Sequence, residues 1–357
     1  GIFLWVYGLM SPVAGIIADR VSRKWLIVSS LLVWSAVTLA MGYADNFNQL
    51  YWLRAIMGVS EALYIPAGLS LIADYHPDKT RSLAVGIHMT GLYMGQALGG
   101  FGASIAAAWS WHVSFHSLGL IGVVYAFVLA FFLRDYKRPV TEQKATLQLK
   151  AGIFKGLGLL LSNIAFWVIL LYFAIPSLPG WAIKNWLPTL FSKTLHIDMT
   201  AAGPMSTITI AVSSFLGVIV GGILSDRWVQ VNLRGRLYTS AIGLALTVPA
   251  LLLIGLGHSL PAVLASAFCF GFGYGMFDAN NMPILCQFVA PAYRATAYGL
   301  MNMTGVFAGA FITDWLGRAT DAGHLGTNMA MLSGIVLLVL IIQLLVLRPA
   351  VKDMTTA

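Results

Sequence analysis

Charge is what this sequence has least of. Only 10% of its 357 residues are Asp, Glu, Lys or Arg, and 59% are hydrophobic, whereas an ordinary soluble domain carries roughly 25% charged residues. No soluble core needs so much apolar sequence, so a water-soluble globule is excluded. Cysteine is scarcer still. Cys269 and Cys286 lie in a hydrophobic stretch with no metal-ligand spacing around them, which leaves them as small packing residues and excludes a zinc site or a disulfide scaffold. The sequence also lacks a His, Cys and Asp cluster and a nucleophile-and-base arrangement, so neither an enzyme nor a cofactor is expected. An initiating Met is absent too. The chain opens in apolar sequence, GIFLWVYGLM, and the natural protein is expected to begin further upstream with at least one more helix.

What is present is a series of apolar runs long enough to cross a bilayer. Eleven spans are expected, at residues 1–18, 25–43, 50–74, 83–108, 112–133, 161–191, 203–224, 237–256, 259–289, 295–317 and 327–347, which makes the fold class all-α integral membrane. Residues 134–160 read as a linker between an N-terminal bundle (1–133) and a C-terminal bundle (161–347), with a tail at 348–357. The net charge of +8 follows this topology. When alternate loops are assigned to alternate sides, 17 of the 21 Lys and Arg fall on one side, the exceptions being Arg54, Lys184, Lys193 and Arg318. By the positive-inside rule that side is cytoplasmic and holds the linker and the C-terminus. The basic balance therefore reports a lipid bilayer as partner and no nucleic acid.

Three pieces of the first half recur in the second. Gly15-Ile-Ile-Ala-Asp19-Arg20 matches Gly222-Ile-Leu-Ser-Asp226-Arg227, an offset of 207. Gly58-Val-Ser-Glu61, with Pro66 five residues on, matches Gly275-Met-Phe-Asp278 with Pro283 five on, an offset of 217. Arg81-Ser-Leu-Ala-Val-Gly86 matches Arg294-Ala-Thr-Ala-Tyr-Gly299, an offset of 213. Under these offsets the span 203–224 maps onto the first span and the span 161–191 has no mate. Six plus six helices would be the whole architecture, with eleven of the twelve in this chain. Transporters built from such halves bind their cargo at the interface between them, near the bilayer midplane.

Gly15-Ile-Ile-Ala-Asp19-Arg20-Val-Ser-Arg23-Lys24 resembles the cytoplasmic loop signature of the major facilitator superfamily, with Ser22 where a glycine is usual. Within it, Arg54-x3-Gly58-x2-Glu61-Ala62-x3-Pro66 and Asn185-Trp186-Leu187-Pro188 are similar to the anion:cation symporter family, which includes sugar-acid, sialic-acid and vesicular organic-anion carriers. The resemblance implies a monomeric secondary transporter of the inner or plasma membrane. It implies a small anionic substrate, such as a sugar acid, taken up with protons by alternating access. A proton-coupled exporter or a lysolipid or drug transporter on the same fold is the alternative.

Arg54 and Glu61, seven residues apart, lie within roughly 20° of one another on a helix face and ~10 Å apart along its axis. Charges inside a membrane helix face a cavity or a partner rather than lipid. Glu61 is read as the proton-coupling site, toggled by Arg54 or by arriving anion, against the alternative of a permanent Arg54–Glu61 ion pair. Arg54, with its planar guanidinium, suits capture of a carboxylate, against an arginine snorkelling to the interface. Lys184 sits in a span with Pro176, Pro179, Gly180 and Pro188 that is expected to be broken. It is a second anion clamp or a snorkelling lysine, and Asn185 a hydroxyl ligand. Asp278, the mate of Glu61, is a second titrating site or a hydrogen-bonded structural carboxyl. Asn280 and Asn281 beside it are candidates for substrate hydroxyls. Tyr64, Tyr93, Gln96 and Asn302, with His88 and Gln287, either line the cavity or join helices by hydrogen bonds. Asp19, Arg20, Arg23, Asp226 and Arg227 form the expected conformational gate, paired across the halves when the cytoplasmic side is closed.

Overall fold

The structure, a computed structural model, describes residues 2–136, 153–257 and 259–354. The first half comprises α1 (Ile2–Ala18), α2 (Arg23–Met41), α3 (Phe47–Ala62), α4 (Tyr64–Tyr75), α5 (Arg81–Gly99), α6 (Gly102–Ala108) and α7 (Trp111–Phe132). The second comprises α8 (Ile153–Leu161), α9 (Ile164–Leu195), α10 (Met199–Val231), α11 (Gly235–Leu256), α12 (Leu260–Asp278), α13 (Asn281–Phe288), α14 (Arg294–Asp321) and α15 (Leu325–Val346). Among the described residues, nine helical stretches are long and apolar enough to cross a membrane, counting α3–α4 and α12–α13 as one each. With the shorter α1 and with α5–α6 they occupy the eleven expected spans. Most of the expected linker lies outside the described residues, although its last part is the helix α8.

Two helix interruptions fall at mates in the repeat. The stretches Phe47–Tyr75 and Leu260–Phe288 are each 29 residues long, and each is interrupted within two residues after its carboxylate, Glu61 or Asp278. The cause is the proline five residues on: Pro66 and Pro283 lack an N–H, and their rings crowd the carbonyls of Ala62 and Ala279. The expected break in residues 161–191 does not occur. α9 runs unbroken for 32 residues with Pro176, Pro179 and Pro188 inside it. Within it the Ser177 hydroxyl donates to the Phe173 carbonyl at 2.7 Å, one turn back along the helix, and membrane helices tolerate prolines where their surroundings re-satisfy the backbone. α10 likewise extends beyond its expected end, so Asp226 and Arg227 are in a helix and not in a loop.

The halves meet along two long crossings, α1 on α14 and α5 on α10. Glycine makes both possible. A Cβ on Gly15 would meet the Ala295 carbonyl, and one on Gly222 the Leu83 backbone. Their partners Gly299 and Gly86 are pressed against the Ser11 and Val218 carbonyls in the same way. In the second half α9 packs on α14 and α15, with Phe173 and Trp181 against Gly305 and Gly309. On α5, by contrast, Gly91, Gly95 and Gly99 face open space, and among the described residues no helix stands there as α9 stands on α14.

Gly15→Ala and Gly222→Ala are expected to lower the thermal unfolding temperature in detergent, since overpacking a tight contact costs about 1–3 kcal/mol. Gly334, on α15, has nothing within 4 Å of a would-be Cβ, so Gly334→Ala is expected to leave the melt unchanged or raise it.

Candidate functional site

Glu61 ends the penultimate residue of α3, in the last turn before the break, and is half-buried. Among the described residues its carboxylate accepts no hydrogen bond and joins no ion pair within 4.0 Å, and it is not sealed off from solvent. It therefore looks onto open space. The permanent Arg54–Glu61 pair, the bland alternative for these residues, is not formed. The cations whose fields reach Glu61 are Lys184 and Arg54. Arg54 is exposed on α3. Lys184 is exposed in mid-α9, with its Nζ 4.6 Å from the centre of the Trp181 ring. Its field reaches both Glu61 and Asp278. Two cations without a carboxylate in contact, a carboxylate without a donor, and an aromatic wall together suit a small anion better than a neutral or cationic guest.

Asp278 is different, since both its oxygens are engaged. Tyr93 on α5 donates to Oδ2 and Asn281 donates to Oδ1 at 3.1 Å. The Tyr93 bond joins the two halves, which makes this buried tyrosine a bridge and not a free cavity wall. Asn280 is a correction to the expectation of a substrate ligand. It is fully buried, donating to the Met276 carbonyl at 2.8 Å and accepting from Ser225, and so it fastens the α12–α13 break. Asn281 is equally buried and committed to Asp278. Asn302, 8% exposed, donates to the Tyr7 hydroxyl at 3.2 Å and to Ser11 Oγ at 3.1 Å, so its amide hydrogens join α14 to α1 and are not offered to a substrate. Asn185 is exposed but donates to Thr313 Oγ1 at 2.9 Å. Tyr64 packs between Trp34 and His88 inside the first half. Gln96 is half-buried three residues beyond Tyr93 on α5, and Gln287 donates to the Leu233 and Val351 carbonyls.

The carboxylates of the expected gate make contacts across the halves, with partners other than those expected. Asp19 accepts from the Ala295 and Thr296 amides at 3.1 and 2.8 Å and from the Thr296 hydroxyl at 2.7 Å. Asp226 accepts from the Ser82 and Leu83 amides at 3.0 and 2.9 Å. Each carboxylate thus caps the N-terminus of a helix in the opposite half, where free N–H groups and the positive end of the helix dipole favour an anion. These cross-half contacts are to backbone amides and the Thr296 hydroxyl, not to arginines. Arg23 stays in its own half, paired with Asp19 at 3.5 Å and with Asp74. Arg20 and Arg227 are exposed. Sequence reasoning missed Asp74, Tyr7, Ser11 and Ser82. Only for Ser82 was there a signal, its place in the third repeat match.

Asp19→Ala removes three charge-assisted bonds across the interface and Asp226→Ala two, each worth roughly 1.5–3 kcal/mol, and either change is expected to favour the state open on that side by at least about tenfold. The measurement is maleimide labelling of a cysteine placed at Ala297, which is fully buried beside the gate, in a chain with both native cysteines replaced by alanine. Burial pushes the Asp19 carboxyl above the usual carboxylate range, opposed by Arg23 and the Thr296 and Ala295 bonds. Acidification neutralises a raised carboxyl earlier than an ordinary one. Labelling should therefore climb on acidification in the parent and lose that dependence in Asp19→Asn.

Comparison with known proteins agrees with this architecture. A rice protein (Oryza sativa subsp. japonica) described as "Probable anion transporter 1, chloroplastic" is 25% identical over 339 residues, 90% of this chain and 63% of that protein. The chloroplastic ascorbate transporter of Arabidopsis thaliana is 24% identical over 90% of this chain and 62% of its own length, so the chain spans less than two thirds of these relatives. The hexuronate transporter of Escherichia coli K12 is 26% identical over 88% of this chain and 76% of its own length. The crystal structure of the human organic anion transporter MFSD10 superposes with a TM-score of 0.74 at 17% identity, covering 95% of this chain and 81% of that one. A bacterial homologue of the human lysosomal transporter Spinster, inward-facing and unoccupied, gives 0.61 at 20% identity, covering 96% and 85%. The Major Facilitator Superfamily sequence model matches residues 1–313, and with two helical halves of repeated sequence, the chain belongs to the Major Facilitator Superfamily of membrane transporters.

Proposed function

We propose that the protein imports a small organic anion of the sugar-acid class together with protons, by alternating access. The observation that carries this reading is the trio of Glu61, Arg54 and Lys184, two cations and a carboxylate that share one open site with no ion pair among them. The relatives named for ascorbate and hexuronate support it, both being small hydroxylated acids. In the proposed cycle Glu61 takes a proton from outside and the anion is held by Lys184 and Arg54. The caps at Asp19 and Asp226 then release, the halves rock, and Glu61 gives its proton to the cytoplasm. Asp278, already held by Tyr93 and Asn281, serves as the second proton site. The chain works as a monomer in the inner or plasma membrane with its linker and C-terminus cytoplasmic, in keeping with the bias of Lys and Arg, and needs no cofactor beyond the coupling proton.

The test is uptake by the protein in proteoliposomes of labelled sugar acids, neutral sugars and amphipathic cations, with and without an inward proton gradient. An acidic sugar is expected to accumulate only with the gradient. Glu61→Gln is expected to abolish that accumulation while sparing substrate exchange, and Lys184→Ala to weaken anion transport at least tenfold. Transport of neutral or cationic cargo, or loss of exchange as well as accumulation in Glu61→Gln, would refute the assignment.

A further inference from the structure

The segment that follows α15 turns back over the cytoplasmic ends of the helices. It is tied to the second half by its backbone. The Val351 carbonyl accepts from Gln287 at 3.1 Å, the Lys352 carbonyl from Arg236 at 3.0 Å, and the Met354 amide donates to the Cys286 carbonyl at 2.9 Å. Lys352 Nζ also donates to Gln230 Oε1 at 3.2 Å. All of these partners lie in the second half. Asp353 is the exception, because its Oδ1 makes an ion pair with Arg294 at 2.5 Å and another with Arg81 at 2.8 Å. Arg294 opens α14 in the second half, Arg81 opens α5 in the first, and the two are mates in the sequence repeat.

We propose that Arg81 and Arg294 form a carboxylate-binding site across the cytoplasmic interface, and that its ligand is Asp353 of the chain's own tail, a latch that must leave before this side opens. Both guanidiniums are 3% exposed. Like charges drawn together with so little water need an anion between them, and removing one partner of a buried ionic cluster is costly. The Arg81 half of the site is also built in advance. Arg81 is anchored by the His76 carbonyl at 3.1 Å and the Ala73 carbonyl at 2.8 Å, which aims its remaining nitrogen at the tail. At Arg294 the tail adds a second contact of its own, the Met354 carbonyl accepting at 2.8 Å. A single oxygen serves both arginines, so it can satisfy them only while the halves stay together. When they separate, the tail moves with the second half, to which its backbone is tied, and the Arg81 contact is the one that breaks. Asp353 keeps 19% of its side chain exposed, which gives it a route out.

The experiment uses the buried cysteine at Ala297 as reporter and needs no substrate, so it stands or falls apart from the cargo assignment. Asp353→Asn is expected to speed labelling about tenfold, removal of residues 351–357 to match it, and Asp353→Glu to stay near the parent rate. Asp314→Asn, in an exposed pair with Arg318, should change nothing. Thermal unfolding is followed for each variant. Parent-like labelling in both Asp353→Asn and the shortened chain would overturn the proposal, as would Asp353→Glu labelling as fast as Asp353→Asn. If both variants lose cooperative unfolding, the tail is a structural prop and the latch is likewise refuted.

Discussion

A backbone amide in hydrocarbon has no water to turn to, and this constraint governs the molecule. Helices answer it along their length and leave free groups only at their ends. The polar chemistry is accordingly concentrated at ends and interruptions. Glu61 and Asp278 stand where proline stops a helix in mid-membrane. Asp19 and Asp226 stand against helix N-termini of the opposite half. A carboxylate at such a point meets N–H groups or open space, and one in the middle of an unbroken helix would meet only hydrocarbon.

The same constraint explains why the halves touch through glycine. Bringing a carboxylate of one half within 2.8–3.1 Å of amides in the other requires the helices carrying them to cross almost backbone to backbone, a separation that a side chain prevents. Gly15 lies four residues before Asp19 and Gly222 four before Asp226, about one helical turn. Close packing and charge capping are two parts of one joint, made twice by the repeat.

Much of this could be read from the sequence. The spans were legible because apolar length is a strong signal, and the repeat because its glycines, carboxylates and prolines have fixed spacing. Proline misled at α9, since its cost depends on how neighbouring helices and the local backbone accommodate the missing bond, and that is a matter of tertiary surroundings. It informed correctly at Pro66 and Pro283. Among site residues, Glu61, Arg54 and Lys184 stood out because charge in an apolar run is conspicuous. Asn280 and Asn281 were misread for the converse reason: a buried amide can serve a helix joint as well as a ligand, and sequence spacing does not tell which; for Asn302 both readings stood open, and its bonds to Tyr7 and Ser11 make it a joint. The gate carboxylates were legible, but their partners were not, because a backbone amide is present at every position and carries no mark in the sequence. Asp74 and Tyr7 have no counterpart in the repeat matches that would have pointed to them.

The interruption after Glu61 has a mechanical consequence. α3 and α4 are two rigid levers joined at Leu63, and Glu61 sits beside the joint. When one lever swings against the other, the far ends travel furthest and the fulcrum hardly moves. A side chain at the fulcrum, such as that of Glu61, can therefore stay in place while the far ends of the two helices move.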